Sequence, residues 1–150
     1  MPDRRVEIRD MQEDDLDRVY EIEKAGKASP WTWKQLASEM LNRPLSRPRV
    51  ALVQGRPVGF LMAWFVADEV HIINLVVDPA FQRRGIATKL LEDTLKRARE
   101  HGARKIYLEV RQTNRPAIRL YEKLGFFLSG KRPGYYQDTG EDALLMEKPI

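Results

Sequence analysis

The stretch from Leu75 to Leu91, LVVDPAFQRRGIATKLL, joins an apolar run to an amphipathic segment through an arginine-bearing turn. Pro79 cannot donate to a sheet ladder and predicts the end of a strand, while Gly85 permits close backbone approach where the next helix begins. The first amides of a helix lack internal partners and carry the positive end of its dipole. The amides of residues 83–88 are therefore a candidate anion cradle, with a solvated turn as the alternative. The P-loop motif and the dinucleotide-binding glycine motif are both absent.

A second group of chemically capable side chains follows further along the chain. Glu109, in the strand-like sequence YLEVR, is either a general base or a solvated partner of Arg111. Asn114 suits a helix N-cap, a position that asparagine favours. Tyr121 suits either a core aromatic residue or a proton donor. These residue types permit proton transfer, but none identifies a reaction alone.

Metal and thiol chemistry are not expected. The chain has two histidines and no cysteine, which excludes a disulfide framework and a cysteine nucleophile. His71 lies in a predicted strand, and His101 lies near the end of a predicted helix, where its charge complements the helix dipole. Neither has acidic neighbours at ligand spacing, so we expect no metal site and no catalytic histidine.

The composition is that of one soluble domain spanning residues 1–150, since 43% of the residues are apolar. The net charge of +4 is too small to identify a partner, and the basic cluster at residues 96–105 lacks the interleaved aromatic residues of an RNA site. The amino terminus has no apolar run of signal-peptide length, and nowhere do 18 apolar residues run together as a membrane span requires. We therefore expect a cytoplasmic protein with no DNA or membrane partner; the oligomeric state is not predicted.

Hydrophobic periodicity predicts alternating helices and strands. Strands are expected at 5–9, 50–53, 58–65, 70–77, 105–111, from 126 onward and at 143–147. Helices are expected over 16–22, 33–41 after a capping box at Thr32 and Gln35, 86–101 and 116–124. The segments 50–53, 58–65 and 70–77 form an antiparallel meander, with a connection at residues 54–57. Strands joined through a helix are usually parallel neighbours, so 70–77 and 105–111 should lie side by side. The predicted fold class is α/β, a mixed sheet covered by helices.

Three segments in this order, LVVDPAFQRRGIATKLL, LEVRQTNRPAIRLYEKLGF and GYYQDTGEDALLMEKPI, resemble the GNAT superfamily of acetyl-CoA-dependent N-acetyltransferases. They are most similar to the RimI-type protein N-terminal acetyltransferases, and the resemblance covers nearly the whole chain. It implies a largely antiparallel sheet with a splayed parallel pair that holds pantetheine. It also implies direct acetyl transfer to the terminal α-amine of a protein, with a terminal alanine of a ribosomal protein among the acceptors.

The resemblance assigns roles by position. Glu109 would be the general base, acting through water, and Tyr121 the acid that protonates the departing thiolate. Trp31, Tyr135 and Tyr136 would wall the acceptor slot. The implied acetyl-CoA contacts are Leu75, Val76 and Val77 for pantetheine and the acetyl group, Arg83, Arg84, Gly85, Ile86, Ala87 and Thr88 for the pyrophosphate, and Asn114.

Two alternatives remain open. One is acetylation of a small amine or a lysine, which a wide acidic acceptor pocket would favour. A lysine with a pKa near 10.4 costs about 3.5 kcal/mol more to deprotonate than an α-amine near 7.8, so a single carboxylate suits the α-amine better. The other is a non-catalytic module that binds acyl-CoA or the ribosome.

Overall fold

The computed structural model describes residues 5–42 and 44–150, which form seven strands and four α-helices. The strands are β1 (Val6–Asp10), β2 (Arg49–Val53), β3 (Arg56–Val66), β4 (Glu69–Val77), β5 (Lys105–Arg111), β6 (Phe127–Tyr136) and β7 (Glu141–Pro149). The helices are α1 (Leu16–Gly26), α2 (Trp33–Leu41), α3 (Ile86–His101) and α4 (Arg115–Lys123). None of the described helices is long and apolar enough to cross a membrane. Residues 1–4 lie outside the described residues, and the prediction that the amino terminus is not a signal peptide rests partly on them.

All seven strands belong to one sheet of order β1-β2-β3-β4-β5-β7-β6. Every pairing is antiparallel except that of β4 with β5, which α3 connects. The predicted meander corresponds to β2, β3 and β4, and the predicted parallel pair to β4 and β5. The mixed α/β fold class is therefore confirmed.

The parallel pair is joined only over its first half. Pairing runs from Glu69 with Lys105 to Ile72 with Leu108, although β4 continues to Val77 and β5 to Arg111. On its other side, β4 remains paired with β3 as far as Val77. The strands therefore separate after Ile72 and leave a cleft within the sheet.

A β-bulge lies at the point of separation. Met62 of β3 pairs with Asn74 and Ala63 pairs with Ile72, so Ile73 is an extra residue in β4. Such a residue bends its strand and changes the local twist. It also shifts the alternation of side chains, because Ile72 belongs to the core beneath α3 whereas Val76 belongs to the core beneath α1.

The two cores lie on opposite faces of the sheet. One holds Leu90, Leu91 and Leu95 of α3 together with Tyr121 of α4. The other holds apolar residues of α1 and α2, including Leu36. Each helix directs one apolar face into a core, as amphipathic periodicity requires.

Local signals define the ends of the helices. Thr32 and Gln35 form the predicted capping box of α2. Gly102 ends α3 in the left-handed conformation, with φ of 87°. Asn114 caps α4, its side-chain oxygen accepting from the amide of Ala117 at 3.3 Å.

The connection between β2 and β3 is shorter than predicted. Only Gln54 and Gly55 form the turn, both with positive φ, as a two-residue hairpin loop requires. Arg56 and Pro57 belong to β3 instead. Proline is normally excluded from a central strand, but the pairing is irregular at this position, and a bulge is where a strand tolerates proline.

Candidate active site

A cavity of about 710 Å³ lies where β4 and β5 separate. Its walls come from the segment after α1, the ends of β4 and β5, the start of α4 and the connection between β6 and β7. Seven of the predicted site residues line it, namely Trp31, Leu75, Glu109, Asn114, Tyr121, Tyr135 and Tyr136. The fold thus gathers the predicted base, acid and acceptor wall around one space. Val76, Val77 and the turn at residues 83–88 do not line the cavity.

Glu109 reaches the cavity from β5 and is held by two basic residues. Its Oε1 lies 2.6 Å from Nε2 of His71, and its Oε2 lies 3.4 Å from Nε of Arg132. Burial acts to raise the pKa of Glu109, but the hydrogen bond from His71 and the charge of Arg132 outweigh it and leave the pKa below its ordinary value. Glu109 is therefore an ionised carboxylate at neutral pH.

Sequence reasoning did not place His71 beside Glu109. The parallel register sets His71 opposite Tyr107, so that Glu109 is its diagonal neighbour on the same face. The predicted pairing of 70–77 with 105–111 made the two strands neighbours, but neighbouring strands can pair in more than one register. His101, by contrast, contacts the carbonyl of Ala67 at the opposite end of α3 from the turn at residues 83–85.

Tyr121 reaches the cavity from α4. Its ring packs against Phe126, with centroids 5.7 Å apart, and its side chain is buried in the core beneath α3. Burial raises the pKa of the phenol far above its ordinary value, so Tyr121 stays protonated. Asn114, the cap of the same helix, lies at the same cavity wall.

The turn before α3 has the backbone geometry of an anion site. Arg83 and Gly85 both adopt positive φ, 64° and 77°, and Gly85 is the N-cap of the helix. The first helical amides have no acceptor within the helix, and a Cβ placed on Gly85 would meet no atom within 4 Å beyond its neighbours along the chain. The turn thus combines open space beside Gly85 with the first amides of a helix, an arrangement that suits an anion.

The acceptor side is closed by contacts between distant segments. Asp138 accepts two hydrogen bonds from the guanidinium of Arg111, at 2.9 and 3.0 Å, and one from the hydroxyl of Ser29, at 2.7 Å. We call this group the Ser29–Asp138–Arg111 clasp. Arg111 also lies 4.1 Å from the ring centroid of Tyr136, and burial raises the pKa of Tyr136 to about 12. The clasp ties the segment after α1 to the β6–β7 connection.

A buried carboxylate also holds the segment after α1 in place. Glu23 is fully buried and accepts from the amide of Trp31 at 2.8 Å and from the side-chain amide of Asn74 at 3.0 Å. Lys27 lies 3.2 Å from Glu23 and donates to Asn74 at 2.5 Å. Burial lowers the pKa of Lys27, although the charge of Glu23 opposes this effect. Sequence reasoning missed Glu23, whose spacing of four residues from Val19 does place it on the buried face of α1.

In the part of the chain that the structure describes, no three histidine, cysteine or acidic side chains are grouped so that they could hold a metal ion.

The chain is similar to known acetyltransferases over most of its length. The sequence model of the Acetyltransferase (GNAT) family matches residues 8–126. The ribosomal protein bS18-alanine N-acetyltransferase of Escherichia coli K12 is 38% identical over 146 residues, which cover 95% of this chain and 97% of that protein. An N-alpha-acetyltransferase of Saccharolobus solfataricus is 33% identical, over 95% of this chain and 92% of that protein.

The fold agrees equally well with a solved structure. The crystal structure of the Escherichia coli ribosomal-protein-S18-alanine N-acetyltransferase matches 97% of this chain and 94% of its own, with a TM-score of 0.90 and 34% identity. The likeness therefore extends well beyond the residues that line the cavity.

Proposed function

The chain belongs to the acetyltransferase (GNAT) family, as its motifs predicted, and from that premise we propose that it acetylates the N-terminal α-amine of a protein. Acetyl-CoA is the acetyl donor of this family. The first acceptor to test is the terminal alanine of a ribosomal protein, since the Escherichia coli relative is named for that reaction. A ribosomal acceptor implies a cytoplasmic enzyme, and we treat residues 1–150 as one catalytic domain.

The observation that carries the proposal is the single cavity shared by Glu109 and Tyr121, with aromatic side chains on its acceptor side. Trp31, Tyr135 and Tyr136 form walls that suit the extended end of a peptide. A small-amine or lysine acceptor would be favoured by a wide acidic pocket that lacks the tyrosine wall. That wall lines the cavity, and the cations Lys27 and Arg111 lie there beside the acidic side chains, so the peptide acceptor is the better supported choice.

The donor side fits acetyl-CoA. Beyond Ile72 the edge of β4 that faces β5 has no strand partner among the described residues, so the backbone groups on that edge of Leu75, Val76 and Val77 can bond pantetheine as an added strand would. The carbonyl of Val77 accepts from the side-chain amide of Gln82 at 3.4 Å, a contact that pantetheine would replace. We assign the pyrophosphate to the backbone amides and side chains of the turn before α3. The residues in this assignment are Arg83, Arg84, Gly85, Ile86, Ala87 and Thr88, and Asn114 completes the donor side.

Glu109 and Tyr121 divide the proton transfers. An N–C bond forms and the C–S bond of the thioester breaks, while the amine loses a proton and the sulfur gains one. We assign the first proton to Glu109, through water, and the second to Tyr121. Transfer from an α-ammonium of pKa about 7.8 to an ordinary carboxylate near 4.3 is uphill by about 5 kcal/mol, and the lowered pKa of Glu109 increases this cost. Glu109 thus passes the proton to solvent rather than storing it.

The test is acetylation of a synthetic peptide that begins with alanine. With acetyl-CoA, we expect mass spectrometry to find one added acetyl group on the α-amine. Glu109→Gln should lower kcat/KM by about 100-fold or more, the usual contribution of a general base, while leaving the Kd for CoA within twofold. Glu100→Gln, on the exposed face of α3, is the matched control and should behave as the wild type does.

Two results would contradict the proposal. One is no acetylation across peptides that begin with alanine, serine, threonine or methionine. The other is acetylation of an internal lysine in a peptide with a blocked α-amine, at a rate equal to that of the free terminus.

A further inference from the structure

His71 contacts Glu109 from outside the cavity. Its Nε2 lies 2.6 Å from Oε1 of Glu109, yet His71 is absent from the cavity lining that Glu109 joins. Because the imidazole lies on β4 and the carboxylate on β5, their contact spans the last paired residues of the two strands. His71 therefore holds Glu109 at the point where the cleft begins.

The imidazole is itself fixed by two aromatic side chains. Its ring stacks on Tyr107, with centroids 4.4 Å apart and planes 10° apart. Trp64 meets its edge, with centroids 6.0 Å apart, and the indole N–H donates to Glu39 at 2.8 Å. A donor confined in this way loses little additional entropy when it holds the carboxylate, which is the advantage of a preorganised support.

The contact also dictates where the imidazole carries its proton. An ionised carboxylate only accepts hydrogen bonds, so Nε2 of His71 must be the N–H donor. This holds for the neutral ring and for the cation. The other Glu109 oxygen faces Arg132, at 3.4 Å, so that two donors define the orientation of the carboxylate.

We infer that His71 is a positioning residue for acetyl transfer, which keeps the Glu109 carboxylate ionised and directed into the cavity. The inference rests on the proposed role of Glu109 as the base. It does not make His71 a proton acceptor for the substrate, since the ring lines no part of the cavity.

The other charged and titratable groups around the pair determine how strongly the pKa and orientation of Glu109 depend on His71. Arg132 of β6 remains a partner of Glu109 when His71 is replaced. The phenols of Tyr107 and Tyr136 lie close enough to Glu109 for its charge to affect them. Arg132 alone leaves one oxygen unsupported, so loss of His71 should raise the pKa of Glu109 and leave its carboxylate less firmly directed into the cavity.

The test compares His71→Leu, which removes the donor, with His71→Gln, which keeps a neutral donor. His71→Leu should lower kcat for the peptide by about 10-fold to 100-fold, as a misplacement of about 1 Å does, with the KM for both substrates within about twofold. His71→Gln should recover most of that loss. His101→Gln replaces the only other histidine and is the matched control.

A second readout needs no substrate. Carbon-13 NMR of the Glu109 carboxyl, assigned with Glu109→Gln, should give a higher titration midpoint in His71→Gln and a still higher one in His71→Leu. The sign follows from the lowered pKa of Glu109, because the hydrogen bond from His71 is the largest contribution to that lowering. His101→Gln should leave the midpoint unchanged.

The two readouts separate the failure of this inference from that of the proposed function. Unchanged kcat together with an unchanged Glu109 midpoint in His71→Leu overturns the role of His71. Wild-type protein that acetylates no peptide overturns the acceptor assignment, and a shifted midpoint would still support the coupling of His71 to Glu109. If His71→Leu fails to fold, the midpoint in His71→Gln decides.

Discussion

Tyr121 is the side chain for which burial has two opposing effects. The raised pKa keeps the phenol protonated across the pH range in which the enzyme is expected to work. The same shift makes it a weaker acid, although the thiolate it would serve has a conjugate acid of pKa only about 8.5. We therefore expect Tyr121 to stabilise the departing sulfur by a hydrogen bond more than by complete proton transfer.

Tyr121→Phe tests this role at the residue scale. We expect kcat to fall by about 10-fold to 100-fold, at or below the lower end of general acid catalysis, because a hydrogen bond is lost rather than a full proton transfer. The aromatic packing against Phe126 is retained, so the free energy of unfolding in urea should change by less than about 1 kcal/mol. Steady-state kinetics and urea denaturation measure the two quantities.

Tyr20→Phe, on α1, is the control for loss of a hydroxyl outside the site, and its kinetics should match those of the wild type. The pH profile gives a further check. The raised pKa of Tyr121 would be contradicted if the kcat of the wild type fell with rising pH at an apparent pKa below 10 and Tyr121→Phe showed no such fall.

Side chains were predictable where the residue type itself carries the signal. Asn114 was expected to be a cap because asparagine favours that position, and it is one. The alternation of β5 placed Glu109 on the face opposite the core, but alternation fixes a face and not a partner. His71 and Glu23 were therefore missed, because their roles depend on cross-strand register and on helix packing.

Helix α3 has a glycine in the left-handed conformation at each end. Gly85, with φ of 77°, precedes its first turn, and Gly102, with φ of 87°, follows its last. Beyond its neighbours along the chain, neither glycine has an atom within 4 Å of a Cβ placed on it, so substitution would strain the backbone without a steric clash. The two ends of one helix thus offer a matched pair of sites, only one of which faces the proposed coenzyme.

Gly85→Ala and Gly102→Ala separate strain from binding at the scale of this element. Each should reduce the free energy of unfolding by about 1 kcal/mol, the cost of a left-handed alanine. Only Gly85→Ala should raise the Kd for CoA, by several-fold, because it disturbs the amides of the turn. Isothermal titration calorimetry and urea denaturation provide the comparison, and equal CoA affinities in the two variants would contradict the placement of the pyrophosphate.

Elements were predictable where their boundaries are local. The capping box of α2 and the end of α3 depend on residues a few positions apart, and both were found as expected. The start of β3 was misplaced because proline normally argues against a central strand. The irregular pairing of β3 with β2 allows a proline there. Such an irregularity depends on the partner strand, so the local sequence does not predict it.

At the scale of the whole molecule, one side of the cavity comes from a continuous stretch of the chain and the other from distant segments. The proposed donor side comes from one continuous stretch, residues 72–88, together with the cap of α4. The acceptor side is assembled from the segment after α1 and the β6–β7 connection, which the clasp joins across 109 positions of sequence. The order of elements predicted the fold, but no local signal predicts a contact over that separation.

Asp138→Ala tests the clasp at the scale of the whole molecule. Loss of the acceptor shared by Ser29 and Arg111 should release the two segments and raise the KM for peptide by about three-fold to ten-fold, since an acceptor site that must be ordered on binding costs affinity. The Kd for CoA should not change. Asp68→Ala, at the exposed turn after β3, is the control, and a weaker affinity for CoA with an unchanged KM for peptide would contradict this division of the cavity.

The bulge at Ile73 has a consequence for solubility. Edge strands expose unpaired backbone groups and invite association with other chains, so proteins usually cover, charge or shorten them. After Ile73, β4 becomes an edge strand in the interior of a sheet, enclosed by the walls of the cleft. A narrow molecule can complete this edge inside the cleft. The bulge thus accompanies a strand-like binding surface that lies within the sheet rather than at either of its outer edges, where association between chains usually begins.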